Sequence, residues 1–395
     1  MSRFVSLFLI LFVSCFSLGQ NNKTRTAATT PSGVQVLYVV EGTTIYTYNV
    51  DPQTLNLTQV GTPLDITNAN LGYEEFLAST PNDHFIYFLA ANAQLTPYLW
   101  VFATDTNGAP LAPAIQQMAI PGLLGIQINS QGNYLYAIIA GTSHNLVTPT
   151  TIQRYALDTT TGEITQPVIE ATYPIETNSS GEYCGLELLS FNTAGTKLYD
   201  EVSCDGGGEA KGTYFELPVN PQTGALGAQT QLFHWSNATE GGDYIQFTAG
   251  LMFDFNNPAS YMTGYNSVNV YSVTGNVKAL LVHCAESMLE ACGSSVGVAH
   301  PSGEYVFMAI AQDTTQIDKV DLTDKKIVDT GNYIPGSLTY GLTSEFSPDG
   351  TLVYATTQNN GDYIIQVFGF NVATSVVTPG EMIGHSGPFY TAERY

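Results

Sequence analysis

The chain of 395 residues carries 11 Lys and Arg against 34 Asp and Glu, a formal net charge of −23. Only 11 % of its residues are charged, so it is acidic through scarcity of bases, and the clustered cations that grip nucleic-acid phosphates or anionic lipid are missing. With 44 % apolar residues, 24 Tyr and 19 Phe, it holds material for a sizeable core and does not read as a disordered chain. At the N-terminus, Met1-Ser2-Arg3, an apolar run over 4–13 and small residues at Ser17 and Gly19 read as a secretory signal peptide over 1–19. The run of roughly eleven apolar residues is too short to span a bilayer, which takes ~20, so no transmembrane anchor is expected. A lipoprotein signal, with Cys15 as the lipidated residue, is the competing reading. A Thr-rich linker covers 20–32, and 33–395 is expected to form one domain.

That domain repeats itself. It opens with the strand Val36-Leu37-Tyr38-Val39. A polar turn followed by an aromatic–aliphatic strand then recurs: Ser79-Thr80-Pro81-Asn82-Asp83 before Phe85-Ile86-Tyr87-Phe88, and Asn129-Ser130-Gln131-Gly132 before Tyr134-Leu135-Tyr136. Asn192-Thr193-Ala194-Gly195 precedes Lys197-Leu198-Tyr199, and a degenerate copy, Asn256-Asn257-Pro258-Ala259, precedes Tyr261-Met262. His300-Pro301-Ser302-Gly303 precedes Tyr305-Val306-Phe307, and Ser347-Pro348-Asp349-Gly350 precedes Leu352-Val353-Tyr354. Taking Tyr38, Tyr87, Tyr136, Tyr199, Met262, Phe307 and Tyr354 as equivalent gives steps of 49, 49, 63, 63, 45 and 47 residues. Each unit carries a further strand, such as Leu99-Trp100-Val101-Phe102, and a Gly-containing turn, as in Asp158-Thr159-Thr160-Thr161-Gly162. Periods near 50 residues with about four strands each mean propeller blades. The expected fold is all-β: a seven-bladed β-propeller of four-stranded antiparallel blades. An unmatched strand at 387–394 is expected to pair with blade one and close the ring, removing open edges.

Loss of the signal leaves four cysteines: Cys184, Cys204, Cys284 and Cys292. An even count in an exported chain points to disulfides, with three pairings open. Cys184 and Cys204 are equidistant from the turn at Ala194, so a hairpin closing there sets them face to face; Cys284 and Cys292 would then staple the short loop between them. A zinc site is the rival, with only His283 adjacent and no Cys-x2-Cys pair.

The segment Phe346-Ser347-Pro348-Asp349-Gly350-Thr351-Leu352-Val353-Tyr354-Ala355 resembles the YVTN-type repeat. The order of units and the Thr-Gly turns over 33–395 resemble the lactonase-like seven-bladed propellers, the group containing bacterial 6-phosphogluconolactonase and fungal muconate-lactonizing enzymes. The resemblance implies a funnel site at the end of the central channel where the inner strands begin, with His, Glu and Arg acting on anionic lactones. Here Arg25 falls in the linker, Arg154 on an outer-strand pattern and Arg394 at the far end of an inner strand. No bidentate clamp for phosphate or carboxylate is evident.

The residues expected on the funnel rim are Tyr73, Glu74, His144, Glu182, Tyr183, Asp205, Asp243, Tyr244, Tyr340 and His385. If Glu74, Glu182 and Asp243 converge, mutual repulsion raises at least one pKa. A carboxylate with His144 then suits the activation of water against a neutral lactone, with Glu74, His144 and Glu182 as the catalytic set and no cofactor required. The other use of such acids is a Ca²⁺ site in the loop from Asp205 to Glu209. The first expectation is an exported, monomeric propeller, secreted or periplasmic, that binds a small molecule, glycan or protein partner through the aromatic rim of Tyr73, Tyr183, Tyr244 and Tyr340 without catalysis. The alternative is a lactone hydrolase.

Overall fold

The computed structural model describes residues 35–41, 44–66, 76–80, 84–91, 96–140, 149–173, 184–192, 194–204, 211–236, 244–256, 267–272, 279–285, 297–311, 314–335, 344–347, 349–359, 362–385 and 389–393. The described residues are strands and turns, with no helix among them. Six four-stranded antiparallel sheets succeed one another, each built from four consecutive strands. The first holds β5 (Phe76–Ser79), β6 (Phe85–Ala91), β7 (Pro97–Ala103) and β8 (Gln116–Ala119). The second holds β9 (Leu123–Ile128), β10 (Tyr134–Ile139), β11 (Thr150–Ala156) and β12 (Val168–Tyr173). The third comprises β13 (Cys184–Phe191), β14 (Lys197–Cys204), β15 (Lys211–Pro218) and β16 (Thr230–Ser236); the fourth, β17 (Tyr244–Thr248), β18 (Leu251–Asn256), β19 (Ser267–Ser272) and β20 (Ala279–Ala285). The fifth comprises β21 (Gly297–Ala299), β22 (Tyr305–Ala311), β23 (Thr314–Asp321) and β24 (Lys326–Pro335); the sixth, β25 (Ser344–Phe346), β26 (Leu352–Asn359), β27 (Asp362–Asn371) and β28 (Val376–His385).

The remaining sheet departs from the expected pattern, so there are six four-stranded blades and not seven. It is five-stranded, in the order β29 (Phe389–Glu393), β1 (Gln35–Glu41), β2 (Thr44–Val50), β3 (Leu57–Gln59), with β4 (Leu64–Asp65) also pairing β2. Its outer edge breaks in two because Gly61 takes a positive φ of 67° and Pro63 has no N–H to give the ladder. β29 pairs antiparallel with β1, Leu37 opposite Glu393 and Glu41 opposite Phe389.

The polar turns that mark the repeat close the two innermost strands. In Asn129 the N–H donates to the Tyr134 carbonyl at 3.0 Å while Oδ1 accepts the N–H groups of Asn133 and Tyr134. Asn192 does the same with Lys197 and Thr196, and Ser347 Oγ accepts the Leu352 N–H. A second turn type joins the two outer strands: the Oδ1 of Asp51, Asp158, Asn220, Asp321 or Asn371 accepts the N–H groups two and three residues on. Such side-chain bonds favour turns over continued ladders.

One unit was placed wrongly by the sequence pattern. Asn256-Asn257-Pro258-Ala259 is not its inner turn; the inner hairpin is the two-residue turn Ala249-Gly250, with φ values of 50° and 74°, between β17 and β18. Both positive φ values define the tight turn that matches strand twist. It lacks the longer polar marker, which is why the eye passes over it. Phe253, not Met262, then corresponds to Tyr199 and Phe307, and both steps become 54 residues.

Among the described residues, neighbouring sheets bury apolar side chains against one another in six seams. Tyr87 and Leu99 pack against Ile126, Leu135 and Tyr155; Tyr136 and Ile152 against Leu198 and Leu217; Phe253 and Val270 against Val306 and Met308; Phe307 and Ile317 against Phe346 and Phe368. The five-stranded sheet packs on two sides, through Val36 and Tyr38 against Ile86 and Phe88, and through Leu37 and Leu57 against Leu352 and Val367.

A repeated hydrogen bond fixes the spacing of these seams. The rings of Tyr38, Tyr87 and Tyr136 are fully buried, and their hydroxyls donate to the carbonyls of Gly108, Gly162 and Gly224 in the outer turn of the next sheet, at 2.7, 2.8 and 2.5 Å. Where Phe307 brings no hydroxyl, Tyr305 donates to the Val372 carbonyl of the next outer turn at 2.7 Å. Gly224 has a φ of 68°, and a Cβ there would lie 2.5 Å from the Tyr134 ring, so no other residue fits without displacement. The inner turns also touch: His300 Nδ1 accepts the Ser302 N–H at 3.1 Å, which leaves Nε2–H to donate to the Gly350 carbonyl at 2.9 Å.

Tyr136→Phe is expected to cost about 1 kcal/mol, the worth of one buried hydrogen bond, and Gly224→Ala about 2 kcal/mol or more, read by urea denaturation. Equal stability of Tyr136→Phe and wild type would remove the seam bond from the account. Burial holds the His300 pKa below the usual 6.5, so its neutral form stabilises fully above pH 6.5 and that contribution is lost as the pH falls further. The stability gap between wild type and His300→Gln should therefore narrow on acidification, measured by melting from pH 7.5 to 4.5.

Candidate functional site

Antiparallel order sends the strand 1–2 and strand 3–4 turns of every four-stranded sheet to one end and the remaining connections to the other. The inner turns gather at the first end: His300 reaches Gly350, and Thr248 Oγ1 donates to the Pro301 carbonyl at 2.9 Å. The opposite end is where the strands flanking the expected rim segments terminate. β12 ends and β13 begins there, as do β14 and β15, β16 and β17, and β24 and β25.

Tyr73, Glu74, His144, Glu182, Tyr183, Asp205, Glu209, Asp243, Tyr340 and Cys292 lie outside the described residues. Four others sit at strand termini of this end. Tyr244 is the first residue of β17, opposite Phe255, and His385 is the last of β28, the outermost strand of its sheet, opposite Tyr363. Cys184, first in β13, stands directly opposite Cys204, last in β14. Cys284 lies on β20 opposite Val268. Among the described residues no three His, Cys, Asp or Glu side chains group to hold a metal ion, and no helix is long and apolar enough to cross a membrane.

Arg154, expected on an outer strand, is on β11 and is not poised for an anion. Its Nε meets Glu170 Oε1 at 2.7 Å, one NH1 donates to the Thr223 carbonyl at 2.8 Å, and the guanidinium lies 4.9 Å from the Tyr134 ring centre. The other Glu170 oxygen accepts the Leu226 N–H at 2.8 Å. The group is a polar clamp between the second and third sheets, and it spends the guanidinium's bidentate capacity internally.

The sequence reading passed over two buried acids. Asp200 on β14 and Asp318 on β23 are fully buried, and burial pushes their carboxyls up to about 8 and about 7. Asp318 Oδ1 accepts from Gln316 Nε2 at 2.7 Å while Oδ2 has no hydrogen-bond partner. The strands gave no clear signal: β14 reads KLYDEVSC and β23 reads TTQIDKVD, mixed sequences in which one buried acid does not stand out.

No protein-family profile matches the sequence, and no curated protein is similar to it in sequence. Solved structures do match. A protein of Bacteroides uniformis provisionally named a 6-phosphogluconolactonase aligns at 14 % identity over 91 % of this chain and 99 % of its own, with a TM-score of 0.63. A Bacteroides fragilis protein with the same provisional name aligns at 14 % identity over 92 % and 99 %, TM-score 0.60. The periplasmic gluconolactonase of Pseudomonas aeruginosa aligns at 13 % identity over 90 % and 100 %, TM-score 0.57. In fold, this chain is a β-propeller similar to these proteins along almost its whole length.

Proposed function

We propose that the protein is an exported lactone hydrolase that opens an uncharged sugar lactone. The observation that carries this reading is the full-length likeness to the periplasmic gluconolactonase, which spans 90 % of this chain and all of that one. The scarcity of bases, with 11 Lys and Arg in the whole chain and Arg154 committed to Glu170, favours a neutral lactone over a phosphorylated one. In the reaction Glu74 or Glu182 takes a proton from water, the hydroxide adds to the lactone carbonyl, and the ring C–O bond breaks. His144 passes a proton to the departing ring oxygen, and the product is the open hydroxy acid. Tyr73, Tyr183, Asp243, Tyr244, Tyr340 and His385 frame the substrate. No cofactor takes part, and Ca²⁺ held by Asp205 and Glu209 would be structural. Residues 1–19 act as the signal peptide, and the opposed Cys184 and Cys204 form a disulfide in the oxidising compartment. The five-stranded sheet serves as a seventh blade in a monomeric ring that β29 closes.

Purified protein should hydrolyse glucono-δ-lactone above the spontaneous rate and leave 6-phosphogluconolactone nearly untouched. Glu182→Gln or Glu74→Gln, and His144→Ala, should each lower kcat by about 10²- to 10⁴-fold. Absence of turnover on every neutral lactone tried, with binding of a sugar or glycan retained, would leave the binding-only reading in possession. For the ring, removal of 386–395 should lower the melting temperature sharply; a truncated chain that melts with the full-length protein would disprove closure by β29.

A further inference from the structure

The seam between the β9–β12 and β13–β16 sheets contains one carboxyl in apolar surroundings. Asp200 is fully buried on β14, on the same strand face as Leu198 and directly opposite Leu189 and Phe215, all three of which pack in this seam. Its Oδ2 accepts the hydroxyl of Tyr173, the last residue of β12, and its Oδ1 has no hydrogen-bond partner. A buried carboxylate anion needs partners for both oxygens or a counter-charge; a neutral acid needs far less.

Among the described residues, the groups around it supply no counter-charge. From β10, β11 and β12 the titratable and charged residues are Tyr134, Tyr136, Arg154, Tyr155, Glu170 and Tyr173, and the Tyr155 hydroxyl donates to Gln153 at 3.1 Å. The Tyr136 hydroxyl is committed to Gly224, and Arg154 to Glu170 and the Thr223 carbonyl. On its own sheet, Leu189 and Phe215 stand directly opposite Asp200. Of the other acids there, Glu187 lies at the bulge of β13, Glu201 accepts the Tyr214 hydroxyl, and Glu216 pairs with Lys197 at 2.8 Å.

We propose that Asp200 carries a proton in the folded protein, and that the neutral Asp200–Tyr173 pair is a proton-dependent fastening of this seam that weakens as the pH rises. Burial pushes the Asp200 carboxyl from an ordinary 3.8 up to about 8, and Tyr173 is pushed above the usual tyrosine range, so it remains a donor throughout. A folded acid that holds its proton where the unfolded chain has lost it contributes stability that is greatest below about pH 4 and declines up to about pH 8.

Two variants test this, each melted against wild type from pH 5 to 10. Asn replaces a neutral acid without the proton equilibrium, so Asp200→Asn should gain on wild type by about 2 °C per pH unit up to about pH 8. Tyr173→Phe removes the hydroxyl that holds the carboxylate, which pushes the folded carboxyl further up, so its deficit should stay constant to about pH 8 and widen above it. A Tyr173→Phe deficit that widens below pH 7, or that never widens up to pH 10, would overturn the proposal even if Asp200→Asn did not fold, and a constant gap for a folded Asp200→Asn would overturn it as well.

Discussion

The structure depends on one constraint: apolar side chains from neighbouring sheets are buried in shared seams, so the sheets of each such pair must be held at a fixed separation. Apolar contact alone gives attraction without register. The tyrosine hydroxyls that reach the next sheet's outer turn supply it. Each bond satisfies a turn carbonyl that the packing would otherwise hide from water, and each spans a seam, so neither sheet can slide without orphaning a buried group. The turn glycines complete the fit, because Gly162 and Gly224 admit Phe85 and Tyr134 rings where any side chain would collide.

Polar groups within the seams differ in what they ask of the solvent. Arg154 and Glu170 form a charged pair with little solvent exposure, 15 % and 7 % for the two side chains. His300 works only as a neutral ring, and Asp200 works best as a neutral acid. His300 favours less acid and Asp200 more acid. A molecule of net charge −23 is thus fastened by groups most of which are uncharged or internally compensated.

Much of the fold was legible because a few chemical demands repeat. Tyr38, Tyr87 and Tyr136 recur at one interval of 49 residues because the same bond recurs at each seam. The unit containing β17 to β20 escaped because Ala249-Gly250 makes its turn with backbone conformation alone, without the Asn or Ser side chain that advertises the others. The five-stranded sheet misled in a different way, since a broken outer edge leaves no trace in the strand that carries the repeat. The candidate site was legible only as a position: counting antiparallel strands puts Tyr244, first in β17, and His385, last in β28, at one end. Which carboxylate meets which histidine depends on long connections whose sequences contain no repeat. Asp200 and Asp318 were not legible, because KLYDEVSC and TTQIDKVD hold enough polar residues that a buried acid does not stand out.

The pairing of β1 with β29 has a consequence for how the molecule can be presented. Gln35 and Glu393 lie near the end where the inner turns gather, and the expected rim segments connect at the other. Whatever polypeptide is joined at either point, a tether, a fusion partner or a surface, leaves from the back of the propeller. Both ends of the domain can be held at once while the candidate face stays turned toward the medium.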